Sequence, residues 1–190
     1  MSLPERGRLF RAFPRREFLV VAAALLLGGC TVRPLYMAEP TSPGGAPTGM
    51  AATLSSISVK PVTTRMAQEV RNQLVFLLNR GGAEPAQPAY YMTLVVSEAV
   101  QATATTQISN VANVPTADTL TLTGTYTLID AKTNKPVLTG KRTVMSSFDV
   151  PQQEYAAIRA QANAQSRAAR ELAQFLQLAV AQDLAHHATK

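Results

Sequence analysis

The sequence predicts an α+β domain of order β-α-β-β-β-α, with two helices packed on one face of a four-stranded, mostly antiparallel sheet. Three observations carry this. Thr119 to Asp130 alternates, with Leu120, Leu122, Tyr126 and Leu128 to one side and Thr119, Thr121, Thr123, Thr125 and Thr127 to the other. That is the period of a strand with one face on a core. Met66, Val70, Leu74, Leu77 and Leu78 recur at the spacing of one helix face. Tyr155, Ile158, Ala162, Ala169, Leu172, Leu176 and Ala179 make a second, longer stripe. Laying both stripes on the apolar side of one sheet buries all three economically.

The chain opens with a different kind of segment. Arg6, Arg8, Arg11, Arg15 and Arg16 stand against only Glu5 and Glu17, and Phe18 to Leu27 is an unbroken apolar run. Gly28-Gly29 then precede Cys30. A basic head, a short apolar core and a small-residue cleavage zone make residues 1–29 a signal peptide. The apolar run is too short for a membrane-spanning helix, which needs about 20 residues. Leu27-Gly28-Gly29-Cys30 resembles the bacterial lipobox, so Cys30 is expected to carry diacylglycerol and an N-acyl chain and to become the first mature residue. Arg15-Arg16-Glu17-Phe18-Leu19 is similar to a twin-arginine export motif, with Pro14 in place of the usual Ser or Thr; it bears on the export route alone. Cys30 is the one cysteine, so no intramolecular disulfide supports the fold.

Residues 30–50 are expected to be a lipidated tether, since Thr41 to Met50 is too rich in Pro and Gly to pack or ladder. The domain is set at 51–190. Leu54 to Val62 alternates as a short strand ending at Pro61, and Thr63-Thr64 can cap the first helix. Gly81-Gly82 supplies the left-handed residue at its end. Tyr90 to Ser97 is the second strand, with Gln101 to Gln107 as a polar extension, and Asn110 to Thr116 reads as a loop. After the clear strand at Thr119–Asp130, Asp130 to Pro136 is a hairpin turn with Asn134 available for a positive φ. Val137 to Phe148 returns, and Pro151 opens the long last helix, where its missing N–H costs nothing.

Half of the formal net charge of +6 resides in the signal, five arginines against two glutamates. The remainder is nearly neutral and has no dense basic face or arm, so no nucleic-acid partner is expected. Catalysis is not expected either. His186 and His187 lie at the C-terminal end, and no nucleophile with a base, no carboxylate pair and no metal-ligand spacing is legible. The only covalent group anticipated is the lipid on Cys30.

Two features point toward partners. From Pro85 to Ile129 only Glu98 and Asp118 are charged, while ten residues are threonine. A sheet face of hydroxyls with almost no charge is poorly protected against association. A large outer-membrane barrel has a polar interior, and Gln153, Gln161, Gln165, Gln174 and Gln177 would suit the same setting. Secondly, Ala131 to Phe148 carries Lys132, Lys135, Lys141 and Arg142 and no acid. Such a hairpin can meet phosphate and carboxylate, or simply discourage edge pairing. Because alternate strand positions face opposite ways, Lys141 and Arg142 must diverge.

Cys30-Thr31-Val32-Arg33-Pro34-Leu35-Tyr36, the strand–helix pair around Ile57 to Leu78, and Phe148-Asp149-Val150 followed by Tyr155-Ala156 together resemble the LPS-assembly lipoprotein family LptE in its alphaproteobacterial form. The Ala/Arg-rich run Arg167-Ala168-Ala169-Arg170-Glu171-Leu172 belongs to the same likeness. Thr31 departs from the usual glycine, and the tether is longer than the family's. The resemblance implies a lipoprotein anchored in the outer membrane that helps the LptD β-barrel to assemble, plugs it, and binds lipopolysaccharide on its way to the surface. It does not match Lys132, Lys135, Lys141 and Arg142 to known binding positions; they stand as candidates on their charge alone. A second class shares signal, anchor and small domain: an auxiliary lipoprotein of an ABC-type lipid-transport system. Co-extraction with a large barrel separates the two.

Overall fold

The computed structural model describes residues 49–109 and 112–188, all within one compact unit, Leu35–Lys190. The expected signal peptide, Cys30 and the tether through Thr48 lie outside the described residues. Along the described chain the elements are α1 (Met50–Ser55), β1 (Ile57–Val59), α2 (Arg65–Leu78), β2 (Tyr90–Ser109), β3 (Ala112–Asp130), β4 (Pro136–Asp149) and α3 (Glu154–Ala188). The sheet order is β1-β2-β3-β4. β1 runs parallel to β2 and the other pairs are antiparallel. The expected α+β fold is present, with one short helix added at its start.

That helix corrects the first strand. Leu54 to Ser56 was expected to be extended, but Ala51 and Leu54, three apart, are buried on one face of α1. The Ser55 and Ser56 hydroxyls donate back to the carbonyls of Ala52 (3.0 Å) and Thr53 (2.7 Å), local bonds that compete with a strand ladder. β1 keeps three residues, of which Ile57 and Val59 are buried.

α2 begins as expected. Thr64 is its N-cap, its hydroxyl accepting from Ala67 N–H at 3.2 Å, which satisfies one of the orphan donors of the first turn. Its end differs in detail. Gly81 N–H reaches Phe76 O (2.8 Å) and Arg80 N–H reaches Leu77 O (3.4 Å), the paired bonds of a Schellman stop. The left-handed residue directly after the Asn79 cap is Arg80, φ 52°, followed by Gly81, φ 81°.

The segment expected to be a loop is strand. β2 runs to Ser109 and β3 starts at Ala112, so residues 112–116 ladder with β2. Pro115 and two asparagines suggested otherwise. Pro115 is tolerated because β4 reaches only as far as Ala117, leaving residues 112–116 with no strand on that side and a missing N–H without cost there. The register between β2 and β3 shifts around Thr103 and again near Ser109.

The core forms where the three stripes meet. Leu120, Leu122, Tyr126 and Leu128 of β3 lie against Leu172, Leu176 and Val180 of α3, with Val70, Leu74 and Leu78 of α2 beside them, all buried. Each large apolar side chain removed from water contributes roughly 1.5–3 kcal/mol before entropy is counted. Ala164, Ala168, Ala169 and Ala173 are also buried, so α3 sits low on the sheet. Over Gly124 the packing is tight: a Cβ there would stand 3.2 Å from both Leu172 Cδ2 and Leu176 Cδ1. Gln177 Nε2 donates to Leu77 O at 3.1 Å, tying α3 to the end of α2. The stripe is shorter than expected. Tyr155 and Ile158 are 75% and 56% exposed, and full burial along α3 begins only at Ala164.

Candidate interaction surface

The helices cover one face of the sheet; on the other, the register aligns side chains in rows. Thr93, Thr127 and Thr139 share one row, then Val95, Thr125 and Lys141, then Ser97, Thr123 and Thr143, then Ala99, Thr121 and Met145, then Gln101, Thr119 and Ser147. In the β3 and β4 positions of these rows every residue but Lys141 and Met145 carries a hydroxyl. Several pair across strands: Thr119 with Ser147 at 2.9 Å, Thr123 with Thr143 at 3.1 Å, and Thr139 donating to Thr127 at 3.4 Å. Cross-strand hydroxyl pairs stabilise a sheet modestly and leave acceptor lone pairs for another surface. Val95 and Met145 are 63% and 68% exposed in the midst of this plane. Among the described residues no element covers it.

The four basic candidates do not converge. Lys132 and Lys135 lie in the β3–β4 turn, Lys141 is exposed on the hydroxyl face, and Arg142 is half-buried on the helix side. The divergence of Lys141 and Arg142 is as alternation requires. The turn itself is well built. Asp130 Oδ1 accepts from Lys132 N–H (3.0 Å), Thr133 N–H (2.7 Å) and the Thr133 hydroxyl (3.0 Å). The bonds from Thr133 hold the Asp130 carboxyl below its ordinary range, with Lys132 adding to the effect. Asn134 takes φ 54° as expected. Lys132 and Lys135 thus project from a rigid corner. Of the helix arginines, Arg71 is committed: it pairs with Glu84 at 2.5 Å and donates to Val59 O at 2.9 Å.

Two polar arrangements were not legible in the sequence. Tyr126 is fully buried and its hydroxyl donates to Asp183 on α3. Burial, then the bond to Asp183, pushes its ionisation well above the ordinary phenol range, opposed by nearby Arg142. The second is Arg167, which donates to the Ser146 hydroxyl (3.1 Å) and Ser147 O (3.0 Å) beside an open cavity of about 400 Å³ that Asn163, Phe148 and Asp149 also line. Each joins residues more than 19 positions apart, and neither has a short motif to announce it. Among the described residues no group of three or more His, Cys, Asp or Glu side chains could hold a metal ion. No described helix is long and apolar enough to cross a membrane.

Comparison with known proteins gives this arrangement a family. Among solved structures, one from Caulobacter crescentus, described as a lipoprotein, is similar at 29% identity over 72% of this chain and 96% of that one, with a TM-score of 0.56. Rare lipoprotein B from Shewanella oneidensis is similar at 14% identity over 68% and 95%, TM-score 0.49. A minor lipoprotein from Acinetobacter baumannii is similar at 13% over 67% and 89%, TM-score 0.47. No curated protein matches. The family model LptE, lipopolysaccharide-assembly, matches residues 53–178, from within α1 to Leu178 of α3, and the chain therefore belongs to the LptE lipopolysaccharide-assembly family.

Proposed function

We propose that this protein is an outer-membrane lipoprotein, anchored through lipid on Cys30, that assists assembly of an LptD-type β-barrel, plugs its lumen and binds lipopolysaccharide in transit. The observation that carries the reading is the hydroxyl plane of β3 and β4, uncovered among the described residues, with one charged residue in its five rows. A face that meets bulk water on a monomer is usually studded with charge. The inner wall of a large barrel is polar and water-lined, and hydroxyls can exchange hydrogen bonds with it without the desolvation cost of buried charges. Family membership supports the lipopolysaccharide assignment. Lys132 and Lys135 on their rigid corner, and Lys141 at the border of the plane, are the proposed contacts for phosphate and carboxylate groups of the ligand; Arg142 is the fourth candidate. The protein's role is binding and assembly, not catalysis.

The test is to purify the tagged native lipoprotein from membranes in mild detergent and identify its companions. A large outer-membrane barrel in stoichiometric amount supports the reading. Components of an ABC-type transporter in place of the barrel would favour the transport-auxiliary alternative. Cys30→Ser should block lipidation and leave uncleaved or misplaced precursor; the acyl chains it forgoes contribute about 0.8 kcal/mol per buried methylene to membrane attachment.

A further inference from the structure

The two edges of the sheet are defended very differently. β4, at one edge, starts at Pro136 and carries Lys141 and Arg142, devices that discourage strand pairing. β2, toward the other, has β1 beside it only from Tyr90 to Met92, with Lys60 N–H still donating to Met92 O at 2.8 Å. From Thr93 onward that edge is unpaired among the described residues. The Met92 carbonyl marks the orientation: Leu94, Val96, Glu98, Val100 and Ala102 turn their N–H and C=O groups to the open side. The ladder to β3 is regular from Thr93 opposite Thr127 to Ala102 opposite Asp118 and shifts immediately beyond. The open regular edge is therefore ten residues long, bounded by β1 and by a bulge. Its one charge is turned aside, Glu98 accepting from Gln165 Nε2 of α3 at 2.7 Å.

We infer that this edge receives, by strand addition, an unpaired strand of the partner barrel before that barrel closes. The inference rests on the barrel-partner reading above. Length selects the occupant: a transmembrane barrel strand is about 9–11 residues, and such strands alternate polar and apolar. β2 is mixed rather than strictly alternating, with Thr93, Ser97 and Gln101 beside Val95 and Ala99 on the hydroxyl face, and Leu94, Val96 and Val100 beside Glu98 on the helix face, so the match to the barrel strand rests on length. A second copy of this chain fits less well. An edge contact of ten residues at about 3.4 Å on a sheet about 10 Å thick covers roughly 340 Å² per partner, under half the roughly 800 Å² of a stable interface, too little for a lasting dimer and suited to a passing contact with an unclosed barrel. A closed barrel has no free strand, so the contact belongs to assembly and is absent from the finished complex.

The experiment uses the full-length lipoprotein in its own cells, with a photo-crosslinking residue at position 95, and at position 145 on β4 as comparison. The expected result is an adduct between position 95 and newly made, unclosed barrel that position 145 does not give at that stage; after closure both positions can meet the inner wall, so only the early adduct reports strand addition. Val100→Pro removes an N–H that makes no ladder bond, so it should leave the thermal midpoint unchanged while abolishing the adduct and slowing barrel maturation several-fold. Ser97→Lys, which alters no backbone group on that exposed face, should do the same if Val100→Pro is poorly folded. Ala99→Pro, whose N–H faces β3, should instead lower the midpoint. An adduct with a second copy, no adduct above that from position 145, or barrel maturing at the wild-type rate in the folded variants would overturn the inference while the barrel-plug reading stands. Failure of the wild-type protein to co-purify with any barrel would remove both.

Discussion

The ring of Tyr126 lies flat over Gly140, its partner across the β3–β4 ladder: a Cβ on Gly140 would stand 2.5 Å from the Tyr126 hydroxyl oxygen. The glycine is there to admit the ring, and the ring delivers its hydroxyl to Asp183 on α3. Gly140→Ala should therefore displace Tyr126 and cost on the order of 1–3 kcal/mol by overpacking. Tyr126→Phe keeps the shape and removes the donor, at about 1–3 kcal/mol. Denaturant midpoints measure both. A Gly140→Ala protein as stable as wild type would mean that Tyr126 sits elsewhere.

The same tyrosine predicts a pH dependence. Its folded ionisation lies above the ordinary phenol value of about 10, raised by burial and then by Asp183. A raised folded value gives stability that is complete below about pH 10 and lost as pH climbs through the folded value. Thermal midpoints from pH 8 to 12 should fall in wild type more steeply than in Tyr126→Phe. Parallel curves would assign the alkaline loss to other groups.

At the opposite extreme of pH the Asp130 turn should respond. Its carboxyl is held low chiefly by bonds from Thr133, so its contribution is present above the unfolded carboxylate range and fades as pH falls through the lowered folded value. Carboxyl titration followed by NMR should find Asp130 below free aspartate, and Thr133→Ala should return it toward the ordinary value. An unmoved titration in that variant would remove Thr133 as the cause.

Leu122→Ala and Leu172→Ala should each cost about 2–5 kcal/mol, since both side chains are wholly buried. Because α3 rests on Gly124 at contact distance, Gly124→Ala should also destabilise, by pushing Leu172 and Leu176 off the sheet. Differential scanning calorimetry distinguishes this from a tolerated change, which would leave the midpoint in place.

Lipopolysaccharide binding should depend on Lys132, Lys135 and Lys141. Replacing all three by Gln should weaken binding and flatten its salt dependence, with stability little changed because all three are exposed. Arg142 belongs in a separate variant, since it lies near Tyr126 and its loss disturbs that cluster too. Unchanged affinity in the folded triple variant would move the search to Arg65 and Arg80.

What the sequence made legible follows from range. Period-two alternation in β3 and the stripe of α2 are local, and both were read with the correct inward faces. The Thr64 cap and Asn134 are local too. Misreadings arose where a tertiary fact decides a local state. Pro115 is extended because no third strand needs its N–H, and Tyr155 and Ile158 are bare although they continue the spacing of a stripe that is buried only from Ala164 onward. The Tyr126–Asp183 and Arg167–Ser146 bonds join positions 57 and 21 apart, beyond any pattern of spacing. The basic hairpin was visible, but its splitting between two faces and a corner left its ligand role to experiment.

The short connections between β2, β3 and β4 bear on how the molecule comes together. Two residues separate β2 from β3, and five separate β3 from β4, so most of the sheet can zip locally with little loop-closure entropy. β1 must instead find β2 in parallel across α2 and hold it through three residues. Low contact order speeds a meander, while a short non-local strand closes late. The β1 amides should accordingly exchange with solvent sooner than those of β3, making the tether-proximal edge of the domain the part that opens first.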